Sequence, residues 1–124
     1  MKHMGSNTWA FAAGHIPLKS TGPEPENTSR DELCFLNTGP GEAQVDITLF
    51  YNDQDPVGPY QLKIPARRVR RIRINDLINP EAPPLDKDYG AIVESNLPIL
   101  VQFDRKDTSQ AENSILTTTG IPLQ

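Results

Sequence analysis

A chain of 124 residues with 36% hydrophobic content is the length of one domain and can bury a working core without disulfide or metal staples. Its formal charge of −4 opposes general attraction to nucleic acid, and no apolar run approaches the roughly 20 residues that span a bilayer as a helix. The single cysteine, Cys34, excludes an internal disulfide, so a reducing cytoplasm is the simpler expectation.

The start, Met1-Lys2-His3-Met4-Gly5-Ser6, lacks the apolar centre of a signal peptide and reads as an expression scar, leaving 7–124 as a single domain. Thr8 to Ala13 alternates Trp9 and Phe11 with small alanines, a strand that Gly14 and Pro17 end. Lys19 to Asp31 is a polar loop around Gly22-Pro23-Glu24-Pro25, too poor in apolar residues to order itself. A short strand over Leu33 to Asn37 follows, with Thr38-Gly39-Pro40-Gly41 as its turn.

The stretch from Val45 to Ile74 organises the chain. Val45, Ile47, Leu49 and Tyr51 face one way and Asp46, Thr48, Phe50 and Asn52 the other, which is the period of a strand. Tyr60, Leu62 and Ile64 repeat the pattern on a return arm, and the Pro56-Val57-Gly58-Pro59 stretch between the arms cannot continue a ladder, so the pair forms a hairpin. Pro65-Ala66-Arg67-Arg68 opens a strand running to about Asn75. Val69 there falls on the face opposite Ile72 and Ile74, which predicts a bulge or an edge position near Arg70.

Asn79-Pro80-Glu81-Ala82-Pro83-Pro84 breaks regular structure. Asp88 to Glu94 and Pro98 to Asp104 read as a second hairpin turning at Ser95-Asn96, with Ile99, Val101 and Phe103 facing in. Asn113 to Thr118 is the last strand, closed by Gly120 and Pro122. About eight strands with no helix of any length predict an all-β, antiparallel β-sandwich of jelly-roll type.

Seven motifs appear in one order: Trp9-Ala10-Phe11-Ala12 with Gly14 and Ile16-Pro17; Gly22-Pro23-Glu24-Pro25; Cys34-Phe35-Leu36-Asn37; Pro56-Val57-Gly58-Pro59-Tyr60; Pro65-Ala66-Arg67-Arg68; Asn75-Asp76-Leu77; and Arg105 through Asn113. Together they resemble the Anabaena sensory rhodopsin transducer family from Trp9 to Leu116. The resemblance implies a small soluble all-β protein assembled as a cyclic homotetramer. It further implies a cytoplasmic signalling partner of a microbial rhodopsin, a fold suited to sugars or related metabolites, and a proposed capacity to bind DNA.

Three constellations could carry chemistry. Arg67, Arg68, Arg70, Arg71 and Arg73 are five of the twelve basic residues within seven positions. Guanidiniums bind phosphates bidentately, but the chain's sixteen carboxylates are equally good partners. Arg105, Asp107, Gln110, Glu112 and Asn113 follow an apolar strand and offer donors and acceptors for vicinal hydroxyls or a carboxylate, or else cap their own turn. Trp9 is either a stacking platform or, as burial preference favours, core.

His15 has no catalytic partner nearby in sequence. The histidine and cysteine count suits no common zinc pattern, and no glycine loop cradles phosphate. No nucleophile turn is evident, so the expected protein is a non-enzymatic binding module without a cofactor. A homotetramer that binds a small polar ligand or protein partner is the first reading. A DNA-contacting regulator using the arginine strand, or a partner of a membrane photoreceptor, is the alternative.

Overall fold

The computed structural model describes residues 4–16, 29–107, 114–119 and 121–123, and the side chains of 106–107, 114–119 and 123 are left aside. Period-two burial governs every central strand, as expected of sheets with one face on a core. The strands are β1 (Ser6–His15), β2 (Arg30–Asn37), β3 (Ala43–Tyr51), β4 (Val57–Ile64), β5 (Arg68–Arg73), β6 (Asp88–Asp107), β7 (Ser114–Thr119) and β8 (Ile121–Leu123). One 3₁₀ turn, Ile74–Asp76, follows β5. All pairings are antiparallel. No helix among the described residues is long and apolar enough to cross a membrane.

Two sheets share β6. The first runs β4-β3-β6-β1-β8 and the second β5-β2-β6-β7. The hairpin expected at Ser95-Asn96 is therefore corrected to one strand of 20 residues. Parity explains it: Tyr89, Ala91, Val93, Ile99, Val101 and Phe103 are all buried and all odd, so the same face stays inward across the junction. Residues 89–95 pair with β3 and 100–106 with β2, and Asn96 to Pro98 fall between the two ladders. Side chains take over there: Asn96 Oδ1 accepts from Gln44 N at 2.7 Å, and Asn7 Nδ2 donates to Ser95 O at 3.0 Å. Pro98 consequently interrupts no ladder bond.

The inner faces meet in a core that includes Phe35, Ile47, Tyr60, Ile64 and Val101. Phe11 of the first sheet touches Phe103 of the second, ring centroids 5.7 Å apart. The hairpin β3-β4 forms as its alternation predicts, from Ala43 opposite Ile64 to Leu49 opposite Val57. Three further boundaries are corrected. β1 begins at Ser6, inside the stretch set aside as a scar, with Gly5 too close to the Ile99 backbone to carry a Cβ. β5 stops at Arg73, where the 3₁₀ turn buries Ile74, and β8 adds a strand whose Pro122 is tolerated at the sheet's edge opposite Trp9.

Candidate functional site

β2 separates two charged environments, because consecutive residues of a strand point to opposite faces. On the inner side Asp31 is fully buried. Its Oδ2 accepts from Tyr89 Oη at 2.6 Å and from the His15 backbone N–H at 3.0 Å, and its Oδ1 from Arg105 Nε at 3.1 Å. Arg105 also donates to the Ala13 carbonyl. Gly14 makes the approach feasible, since a Cβ there would lie 2.2 Å from the Tyr89 ring. Burial first, and then the neighbouring Asp31, push the Tyr89 hydroxyl far above its ordinary value, so it stays a neutral donor.

His15 closes this end of the sandwich. Its Nδ1 faces Asp88 Oδ1 at 2.8 Å and its Nε2 faces Asp86 Oδ1 at 3.2 Å. The Asp88 hydrogen bond, opposed by burial and joined by Asp86, raises the imidazole above its ordinary 6.5. Among the described residues no group of three or more His, Cys, Asp and Glu is arranged to hold a metal.

The outer face of the second sheet is organised in rows across β5, β2 and β6 by the ladder registers: Val69, Leu36 and Leu100; Arg71, Cys34 and Gln102; Arg73, Glu32 and Asp104. The first row is apolar and open, with Val69 71% and Leu36 38% exposed. Beside it lies a hollow of about 350 Å³ bounded also by Trp9 and Cys34. Arg71 Nη1 joins the other two rows, donating to Glu32 Oε2 at 2.6 Å and to Asp104 Oδ2 at 2.8 Å, while Arg30 also pairs with Glu32. Burial pushes the Glu32 carboxyl up, but Arg71 and Arg30 outweigh it and hold the group below its ordinary 4.5. The Cys34 thiol is raised by burial, which leaves it a weak nucleophile.

The arginine stretch divides by residue. Arg71 meets two carboxylates, and Arg73 Nε lies 3.7 Å from Asp76. Arg68 and Arg70 donate to the backbone carbonyls of Arg67 and Lys63, and Arg67 turns the chain at φ 55°. β5 pairs with β2 in unbroken register and with no other described strand, so of the two expectations at Arg70 the edge is realised.

Trp9 is 4% exposed, with its indole N–H shared between the Ile99 and Ser6 carbonyls. Of the expected polar cluster, Arg105 is engaged with Asp31, the Asp107 backbone ends β6, and Gln110, Glu112 and Asn113 lie outside the described residues, as does most of the loop from Lys19. Asp31, Glu32 and Tyr89 were not expected as participants. Continuing the parity of Leu33 and Phe35 two residues back places Asp31 on the inner face.

The chain matches the family model described as Anabaena sensory rhodopsin transducer over residues 4–122. It is similar to the solved structure of the Anabaena sensory rhodopsin transducer, with 44% identity and a TM-score of 0.75 over 83% of this chain and 97% of that one. It is also similar to the crystal structure of Thermotoga maritima 1070, with 29% identity and a TM-score of 0.84 over 96% of each chain. No curated protein matches it.

Proposed function

The chain belongs to the Anabaena sensory rhodopsin transducer family, and from that premise we propose that it is a non-enzymatic signalling module that works as a homotetramer through the outer face of its second sheet. The carrying observation is the apolar row of Val69, Leu36 and Leu100, which crosses three strands on a face where an isolated domain would present polar residues. The adjoining ion cluster of Arg71, Glu32 and Asp104 would set register between copies. Phe50, 43% exposed on the outer face of the first sheet, is a further apolar contact.

The similar structure's name couples it to a sensory rhodopsin, so a receptor of that kind is the partner class for this chain. A small polar ligand, such as a sugar or related metabolite, is the proposed input at the stretch after β6. The residue chemistry of Asp107, Gln110, Glu112 and Asn113 supports that reading.

Light scattering coupled to size exclusion tests the assembly. The wild type is expected near four subunits at tens of micromolar, and Leu36→Glu is expected to lower the mass while leaving the far-ultraviolet circular dichroism unchanged. A monomeric wild type would remove the proposal.

A further inference from the structure

The edge of β5 combines three features that the core does not use. Among the described residues β5 pairs with β2 alone, so its other side presents backbone N–H and C=O groups without a ladder partner. Beside it lies a cleft of about 410 Å³ walled by Arg70, Arg71, Ile72 and Arg73 together with Glu32, Asp76 and Leu77. The cleft touches four successive residues of β5 and also Glu32 on the outer face of β2, so it takes in that face as well as the β5 backbone.

The cleft's lining carries three guanidiniums against two carboxylates, Glu32 and Asp76, and an unused donor. Arg68 and Arg70 donate to backbone carbonyls, which cancel no charge. Glu32 and Asp104 are already shared with Arg71. Arg73 Nε is buried and has no hydrogen-bond partner among the described residues, because Asp76 at 3.7 Å is too distant to accept. Arg70 and Arg73 stand on opposite faces of β5, so a chain laid along the edge meets a guanidinium on either side.

We propose that the β5 edge binds an extended acidic peptide segment of a partner protein by strand addition. The peptide backbone continues the sheet beyond β5, its alternate side chains enter the cleft, and its carboxylates meet Arg70 and Arg73. Duplex DNA fits the site less well: the guanidiniums flank one strand's edge, and the whole chain carries −4. This surface shares Arg71 and Glu32 with the face proposed for assembly but not its apolar row, so absence of peptide binding would leave the assembly reading intact.

Fluorescence anisotropy at about 50 mM salt tests it with a labelled peptide of about seven residues alternating glutamate and valine. Methylating alternate backbone nitrogens keeps the charge and removes ladder hydrogen bonds, and is expected to weaken binding about tenfold or more. Arg70→Glu is expected to weaken it about tenfold as well, with Arg70→Lys retaining most of it. A lysine and valine peptide is expected not to bind. Equal binding of the methylated and unmodified peptides would overturn strand addition. Tighter binding of a duplex than of the peptide would make the edge a nucleic-acid surface, and absence of peptide binding would show it closed, each sinking the proposal. The methylation comparison uses the wild type, so it decides even if Arg70→Glu fails to fold.

Discussion

The two faces of the second sheet hold similar residues to different ends. Asp31 and Phe35 point inward from β2, and Glu32 and Leu36, one position later in each case, point outward. Each acidic residue meets an arginine: Asp31 meets Arg105, and Glu32 meets Arg71. What differs is solvent. The Asp31 side chain is wholly enclosed under three donors and its partner Arg105 is 23% exposed, whereas the Glu32 side chain is 10% and its partner Arg71 58% exposed. An enclosed carboxylate holds the fold because removing its partner strands it, and a half-exposed guanidinium costs less to rearrange and is free to meet another surface.

The largest expected effect sharpens the apolar half of this contrast. Phe35→Ala empties fully buried space against Val101 and is expected to destabilise by about 3 to 5 kcal/mol in chemical denaturation. Leu36→Ala, on the other face, is expected to shift stability by less than about 1 kcal/mol when measured at low protein concentration. Similar losses at the two positions would break the distinction.

Next in size is Tyr89→Phe, which removes a 2.6 Å hydrogen bond to the enclosed carboxylate while keeping the ring beside Gly14. A loss of about 2 kcal/mol is expected, measured by urea unfolding, since the acceptor is charged.

The pH dependences are smaller and opposite in sign. The Glu32 carboxyl lies lower in the folded state than its ordinary 4.5, so its contribution is present above that value and is lost as pH falls through the folded value. Glu32→Gln is expected to flatten the acid limb of a stability titration. The His15 imidazole lies above 6.5, so the clamp on Asp86 and Asp88 contributes fully below 6.5 and is lost as pH rises through the folded value. His15→Gln is expected to remove that mildly alkaline loss, an effect under about 1 kcal/mol for so exposed a site. A titration between pH 6 and 9 unchanged by the substitution would show that the clamp stabilises nothing.

Legibility in the sequence followed the range of the interactions. The β3-β4 hairpin was readable because its alternation and its turn are local. β6 was misread because Ser95-Asn96 carries turn chemistry, while the bonds that keep the strand extended come from Gln44 and Asn7, far away in sequence. The Val69 mismatch predicts a bulge or an edge, and the unbroken β2-β5 register leaves the edge as the one realised. Arg105 could not be placed from its neighbours, because its partner Asp31 stands on another strand, 74 residues away. Its candidate companions Gln110, Glu112 and Asn113 lie outside the described residues, so the sequence remains the basis for that ligand reading.

The most direct test of the division between a locking inner face and an available outer face is chemical denaturation of Arg105→Gln and Arg71→Gln side by side, at matched protein concentration and pH 7. The first substitution leaves Asp31 enclosed without its guanidinium, so a loss of about 3 to 5 kcal/mol is predicted. The second removes a guanidinium that is itself 58% exposed and leaves Glu32 with Arg30 and leaves Asp104, 19% exposed, beside the Cys34 thiol, so a smaller loss of about 1 kcal/mol is predicted. Equal losses, or a larger one for Arg71→Gln, would contradict the account.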